Sequence, residues 1–532
     1  MKVRIPATNV ADLLERCADR SPEKVGLIDG GANTTWRDLD EQVSSLSHGL
    51  AKRGLVAGHR VAIALVNSTQ FVATYLAVLR AGMVAVPVNP TSTMGEIARM
   101  LGDSGSRVCV ADSVTVDSVR TAVASLAEAA ESADDGVSRG VVPHIVVSGA
   151  PALPDETSYH AWGIPGPAVS TPRDTESLAV LLYTTGTSGR PRAAMLSHRA
   201  LLANIDQASQ TRPPPIVSDD VVLGVLPLFH VYGLNAVLGQ VLLQGATLVI
   251  GRRFSPGETL RLIEAEQVTC VPVAPPVIAA WMQGDHADSV TEKLTSVRLL
   301  LSGAAPLAEG VVREFESRTG VAVEQGYGLT EAAPIVTSTI GTGKHKPGSA
   351  GHALPGVELR VVDDAGRDVH ADDPGEIWVR GRNLFSGYWP DGGGAPTQDG
   401  WLATGDIGFL DADGDLFMVD RLKELVIVSG FNVYPSEIED VIDEVDGVKE
   451  CAVIGVPNER TGEAVVAYVV PADGVDGQAL AETVKAHCVL RVARFKVPSS
   501  IEVVNELPHS VTGKVAKGRL RAAEARRAIG LS

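Results

Sequence analysis

Short apolar runs alternate along the first half of the chain with longer stretches in which apolar positions recur every three or four residues. Val61–Val66 reads as a strand, Ser68 caps a helix that reaches Ala81, and Met83–Val88 is the next strand, stopped at Pro90. Phe71, Tyr75, Val78 and Leu79 fall on one face of that helix, the spacing that packs on a sheet. The rhythm resumes with helix His198–Ala208, strand Val221–Leu226, helix Leu234–Leu243 and strand Ala246–Ile250. Cys270–Val273 and Val297–Leu301 are further strands, whereas residues 115–140, rich in Ala, Ser and Asp, predict a surface helix and loop. Such alternation predicts mainly parallel sheets with helices on both faces.

Past Gly351 the texture changes to short strands and turns at Glu358–Val362, Glu376–Arg380 and Leu416–Val419. Asp391–Gly400, with three consecutive glycines, predicts a mobile loop. From about Arg421 a last unit follows, with helix Glu437–Glu444, strands Glu450–Val456 and Ala464–Val470, and helix Ala479–Leu490. The expectation is an α/β protein in two domains. Residues 1–420 would hold mixed, mainly parallel sheets with flanking helices and a small β-subdomain, and residues 421–532 a small mobile α+β domain.

Composition narrows the classes. A chain of 532 residues exceeds one compact core. Its formal charge of −18 argues against a dedicated nucleic-acid binder. Residues 491–527 reverse that balance, with nine basic side chains against three acidic ones. Such a segment is a solvated face or a screen for a polyphosphate. The five cysteines show no C-x-x-C spacing, and the first residues lack the apolar core of a secretion signal, so a reducing, cytoplasmic setting is expected. From Val221 to Gly251 no residue is charged, a length able to span a bilayer. Pro227, His230, Asn235, Gln240 and Gln244, with Gly224, Gly233, Gly239 and Gly245, punctuate it, which favours a buried strand–helix–strand. No integral membrane segment is therefore expected, although peripheral association for collecting lipid substrates stays open.

The stretch Tyr183-Thr184-Thr185-Gly186-Thr187-Ser188-Gly189-Arg190-Pro191-Arg192 gathers hydroxyls and glycines before a cationic end, directly after the apolar run Leu178–Leu182. Backbone N–H groups, hydroxyls and a guanidinium so arranged suit a nucleotide phosphate. It is not a Walker loop, because Arg190 follows Gly189 where that motif needs lysine. Downstream come Gly326-Tyr327-Gly328-Leu329-Thr330-Glu331, then Thr404-Gly405-Asp406. After these come Asp420-Arg421-Leu422-Lys423-Glu424, Gly430-Phe431-Asn432 and Leu507-Pro508-His509-Ser510-Val511-Thr512-Gly513-Lys514.

In this order the segments resemble the adenylate-forming superfamily of acyl-CoA synthetases, peptide-synthetase adenylation domains and luciferase. The resemblance covers essentially the whole chain. It is nearest to bacterial fatty-acyl-CoA ligases in Pro227-Leu228-Phe229-His230-Val231-Tyr232-Gly233 and Leu384-Phe385-Ser386-Gly387-Tyr388-Trp389. It implies that Thr184, Thr185, Gly186, Thr187, Ser188, Gly189 and Arg192 hold the β- and γ-phosphates of ATP. Ser302, Gly303 and Ala304, with Gly326, Tyr327 and Gly328, would form the adenine slot. Asp406 and Arg421 would hold the ribose, Thr330 the α-phosphate, and Glu331 would bind Mg²⁺. Lys423 matches the hinge and Lys514 the catalytic lysine of adenylation, while Gly430 would line the thiol's path. His230 is either a satisfied structural histidine or, with Trp281, part of the acyl-pocket wall. The implied partners are a small carboxylic acid, fatty in the first instance, and CoA. The alternatives are an acyl-AMP ligase, transfer to a pantetheine thiol on a separate carrier protein, or a degenerate nucleotide- or acyl-binding protein. Two positions depart from the family pattern. The loop ends Pro191-Arg192-Ala193 instead of Pro-Lys-Gly, which is expected to remove backbone freedom at Ala193. Ser429 stands before Gly430 where relatives often carry a base.

Overall fold

Side chains of the strand Arg60–Ala64 and the residue after it part company in strict alternation. Val61, Ile63 and Leu65 enter one buried cluster, Ala62 and Ala64 another. That period of two means the strand is covered on both faces. The same division recurs at Val222 and Leu223 in the strand Val221–Gly224. The structure, a computed structural model, describes the chain apart from residues 1–6, 133–139, 167–168, 170–173, 185–191, 284–288, 306, 308, 343–345, 364, 422–423, 429–430, 459–461, 493, 510–513 and 529–532.

Two seven-stranded sheets carry most of the first 325 residues. In one, Thr157–Ser158, His144–Ser148, Val108–Asp112, Arg60–Ala64, Val84–Pro87 and Leu178–Thr184 run parallel, and Arg192–Ser197 closes the edge antiparallel. The other orders Val323–Gln325, Leu299–Ser302, Cys270–Val273, Val221–Gly224, Thr247–Ile250 and Val25–Asp29 in parallel, with Ala32–Thr35 antiparallel at its end. The largest cluster draws on both sheets and on the helices between them. Hence the helix Thr69–Arg80, capped by Ser68, buries every residue from Phe71 to Arg80, and not the single face that its apolar spacing suggested. Arg80 is tolerated there because Asp40 takes its guanidinium at 2.6 Å.

The uncharged stretch resolves as strand, helix and strand. Among the described residues no helix is long and apolar enough to cross a membrane. A four-stranded antiparallel sheet follows, Val357–Val362, Gly375–Gly381, Trp401–Leu410 and Leu416–Arg421. The last unit builds a five-stranded mixed sheet, covered on one face by Pro435–Asp443 and Gly477–Arg491 and on the other by Lys517–Ala528. It touches the preceding sheet where the Ser436 hydroxyl donates to the Val419 carbonyl at 2.6 Å.

Candidate active site

Ser302 and Gln325 are register partners at the ends of two neighbouring parallel strands. The backbone that leaves them, Gly303–Ala304 and Gly326–Gly328, therefore starts side by side at the carboxyl edge of the sheet. Ligands of open α/β sheets bind at that edge. The Ser302 hydroxyl is buried and finds no partner among the described residues, so a donor is left for a ligand. Gly303 lies flat against Tyr232, whose ring would stand 3.0 Å from an added Cβ.

Gly326 and Gly328 are required by the chain's own backbone. A Cβ on Gly326 would meet the Thr337 carbonyl oxygen at 2.5 Å, and one on Gly328 the Pro334 carbonyl oxygen at 2.4 Å. Between them Tyr327 accepts the N–H groups of Val336 and Thr337 on its carbonyl. Its hydroxyl donates to Asp406 Oδ2 at 2.6 Å. Asp406 is buried and pairs in register with Arg421 across two antiparallel strands; of Arg421 only the backbone is described.

Thr330 and Glu331 sit on a single 3₁₀ turn, Thr330–Ala332. Three buried asparagines hold the segment that follows. Asn383 donates to the Ala332 carbonyl at 2.8 Å, Asn235 to that of Ala333 at 2.7 Å, and Asn204 to that of Ile335 at 2.7 Å. The sequence reading missed these roles. Asn235 had shown itself only as a polar interruption of an apolar helix. Its helix opens with a π-turn, Tyr232–Val237, before regular helix Leu238–Gln244. Gly233 permits this turn, since a Cβ there would lie 2.3 Å from the Pro227 carbonyl.

On the side expected to take the phosphates, Thr184 and Arg192 face each other as the last pair of an antiparallel hairpin. The Thr184 hydroxyl donates to the Arg192 carbonyl at 3.4 Å. The loop they bound, with Thr185, Gly186, Thr187, Ser188 and Gly189, lies outside the described residues. Ala193 is buried opposite Tyr183 in regular strand. An extended backbone asks nothing of glycine, so the expected cost of alanine at this position is corrected.

The segment after Leu384 pairs along the outside of this hairpin. Met195 N–H donates to the Gly387 carbonyl at 3.0 Å and Trp389 N–H to that of Ala193 at 2.8 Å. Asp391–Gly400 is a tied turn in place of the expected mobile loop. Tyr388 N–H donates to the Gly393 carbonyl, and Gly392 N–H to the Tyr388 carbonyl, each at 2.8 Å. The Arg192 guanidinium lies 3.9 Å over the Tyr388 ring. The Tyr388 hydroxyl donates to Glu331 Oε1. Burial, and then the Glu331 charge, push this phenol well above its ordinary range, so it stays a donor. Tyr388 had been noted only as part of a resembling segment.

His230 Nδ1 accepts the Tyr232 N–H at 3.3 Å. Burial, and second the Lys514 ammonium, lower this imidazole to about 4, so it is neutral at physiological pH. Lys514, from the last unit, thus stands within electrostatic reach of His230, two residues before the Tyr232 ring that packs on Gly303. Trp281 is fully buried in a separate cluster that also holds Leu300 and Phe315, so it packs the core, which corrects the expected place at an acyl-pocket wall. Lys423 and Gly430 lie outside the described residues. Among the described residues no group of three His, Cys, Asp or Glu could hold a metal ion. A single carboxylate, Glu331, still suits a hard cation shared with substrate phosphates, because Mg²⁺ keeps water and phosphate oxygens in its shell.

A slot at the carboxyl edge of a parallel sheet, a hairpin ending at Thr184 and Arg192 beside it and a lysine supplied by a second unit describe an adenylate-forming α/β enzyme. The AMP-binding enzyme family matches residues 14–389, and the AMP-binding enzyme C-terminal domain matches residues 437–514. The chain belongs to the AMP-binding enzyme family. It is 34% identical over 537 residues to a long-chain-fatty-acid–CoA ligase of Yersinia pestis, covering 97% of this chain and 94% of that one. It is 35% identical over 515 residues to a feruloyl-CoA synthase of Amycolatopsis sp, covering 95% and 97%. The ATP-bound crystal structure of MatB from Rhodopseudomonas palustris superposes with a TM-score of 0.85 at 32% identity, covering 98% and 99%. The protein is accordingly an acid–thiol ligase that acts through an acyl-adenylate.

Proposed function

We propose that the chain activates a fatty or related carboxylic acid with ATP and Mg²⁺ and passes the acyl group to CoA. A carboxylate is a poor electrophile, so its oxygen must first become part of a good leaving group. The substrate carboxylate attacks the α-phosphorus of ATP; a P–O bond forms, the α–β bridge breaks, and pyrophosphate departs. The thiol sulfur of CoA then attacks the acyl carbonyl carbon and AMP leaves.

In this reading the adenine lies between Gly303–Ala304 and Gly326–Gly328, against the Tyr327 ring. The Tyr327–Asp406 hydrogen bond fixes that ring and aims the carboxylate at the ribose beside Arg421. The Thr184–Arg192 hairpin takes the β- and γ-phosphates, and Thr330 the α-phosphate. A magnesium ion held by Glu331 and the phosphates would neutralise charge that builds on their oxygens. Lys514 presents its ammonium to the same charge, which is electrostatic stabilisation more than proton transfer. In the second step Lys514 has no work, so residues 421–532 turn about Lys423 and bring Gly430 to the thiol's path.

The observation that supports this reading most is Lys514 acting on His230, beside Tyr232 and Gly303. It is the sole predicted site residue of the last unit whose side chain is described, and it points to the adenylation arrangement. A second acyl class, aryl acids, is favoured by the feruloyl-CoA synthase relative. Coupled detection of AMP over a panel of alkyl and aryl acids, with and without CoA, decides between them. AMP turnover with no acid would sink the proposal, and turnover that ignores CoA would move the acceptor to a carrier thiol or leave the adenylate as product.

A further inference from the structure

Three side chains from three separate segments meet on the phosphate side: Arg192 from the hairpin, Glu331 from the 3₁₀ turn, and Tyr388 from the segment that pairs outside the hairpin. Tyr388 touches both of the others. Its ring face receives the Arg192 guanidinium at 3.9 Å, and its hydroxyl donates to Glu331 Oε1. The ring is held firmly. Phe385 meets it edge-on with centroids 5.1 Å apart, and a Cβ on Gly394 would lie 3.1 Å from it. Gly394 adopts a φ of +74°, so the turn that carries it closes on the ring where a larger residue would be strained. The tied turn at 391–394 therefore serves to fix one aromatic ring.

We propose that Tyr388 is a positioning residue that sets, through one side chain, both the phosphate-gripping cation and the cation-binding carboxylate. The inference rests on the nucleotide site proposed above. A carboxylate with one oxygen engaged by a hydroxyl keeps a fixed plane and presents its other oxygen in one direction. A guanidinium stacked on a ring face keeps its donors in its own plane, parallel to the ring and free for bidentate contact with phosphate. This gives the Arg192 departure a physical reason. A planar cation stacks on Tyr388 in a way that a lysine's point charge does not.

The two halves of the contact can be removed separately. Tyr388→Phe keeps the ring and deletes the hydroxyl, whereas Tyr388→Leu deletes both. Binding of ATP is followed by titration calorimetry in EDTA and again across a Mg²⁺ series, with ATP–pyrophosphate exchange measured in parallel. For Tyr388→Phe the concentration of Mg²⁺ giving half-maximal tightening rises roughly tenfold, the loss expected for a hydrogen bond to a charged group. Its ATP affinity in EDTA stays as in wild type. For Tyr388→Leu the affinity in EDTA falls as well, about two- to fivefold, as does that of Arg192→Ala. The double variant Arg192→Ala/Tyr388→Leu is then no weaker in EDTA than either single one. An unchanged Mg²⁺ midpoint in Tyr388→Phe, or additive losses in the double variant, would overturn the inference. Wild-type protein that binds ATP without exchanging pyrophosphate on any acid would instead refute the proposed function, while the Mg²⁺ midpoints still judge Tyr388. A merely structural Tyr388 would weaken binding with and without Mg²⁺ alike.

Discussion

The proposed nucleoside side and the proposed phosphate side of the site are built by different means. At Gly326–Ile335 the backbone is pinned by its own carbonyls and by three buried asparagines. Around Thr184 and Arg192 the described contacts are one pair of strand ends and side chains that meet in partial solvent, Arg192 on Tyr388 and Tyr388 on Glu331. On the proposed assignment, the contrast follows from what each half would bind. An uncharged ring needs a rigid slot, and rigidity is obtained by satisfying buried backbone groups. A polyphosphate brings its own charge, so its side needs cations and hydroxyls that can exchange their contacts for it. Stability should therefore concentrate on the nucleoside side and ligand affinity on the phosphate side.

The largest break in that pattern is expected from Gly328→Ala. The added Cβ must displace the Pro334 carbonyl, and the loss is about 4 kcal/mol, visible as a much lower melting temperature. A melt like that of wild type would show that the slot is not set by this close approach. Next comes acid. His230 titrates near 4 when folded and near 6.5 when unfolded, so the unfolded chain binds the extra proton first as pH falls. The stability held above pH 6.5 is lost progressively down to about pH 4, to a total of about 3 kcal/mol. His230→Gln should flatten that part of the pH–stability curve, and Lys514→Ala should move the His230 titration upward, read by NMR. Asn235→Ala should cost about 2 kcal/mol by leaving the Ala333 carbonyl unpaired and removing a second bond to the helical Leu201 carbonyl, with ATP affinity little changed if the protein is assayed well below its melt. Arg192→Lys belongs to the other side. It should leave the melting temperature unaltered and weaken ATP binding about two- to fivefold, and an equal fall in both would erase the distinction.

Much of the scaffold was legible because burial on two faces writes itself as apolar runs. The strands at 61–66, 83–88, 221–226, 246–250 and 270–273 appear within a residue or two of where that pattern puts them. The nucleoside slot was legible as a string of small residues, although its glycines answer to neighbouring carbonyls and not to the nucleotide alone. What escaped were features decided by distant chain. Asn204, Asn235 and Asn383 look like ordinary polar residues until the 330–335 turn is laid across them. Gly392 to Gly394 read as slack until Tyr388 closes the turn. Ala193 read as a lost glycine because the hairpin's register, which makes it a buried strand residue, depends on pairing and not on composition. The π-turn at Tyr232–Val237 likewise depends on the Pro227 carbonyl, which local propensity cannot see.

The central claim is that Lys514 serves the first half-reaction from a unit that then moves away. It is tested most directly by assaying Lys514→Ala in both half-reactions. ATP–pyrophosphate exchange should fall roughly 100- to 1000-fold, the loss expected for one electrostatic group at the transition state. Thioester formation from a supplied acyl-adenylate should proceed near the wild-type rate. Equal loss of the two half-reactions would contradict the account.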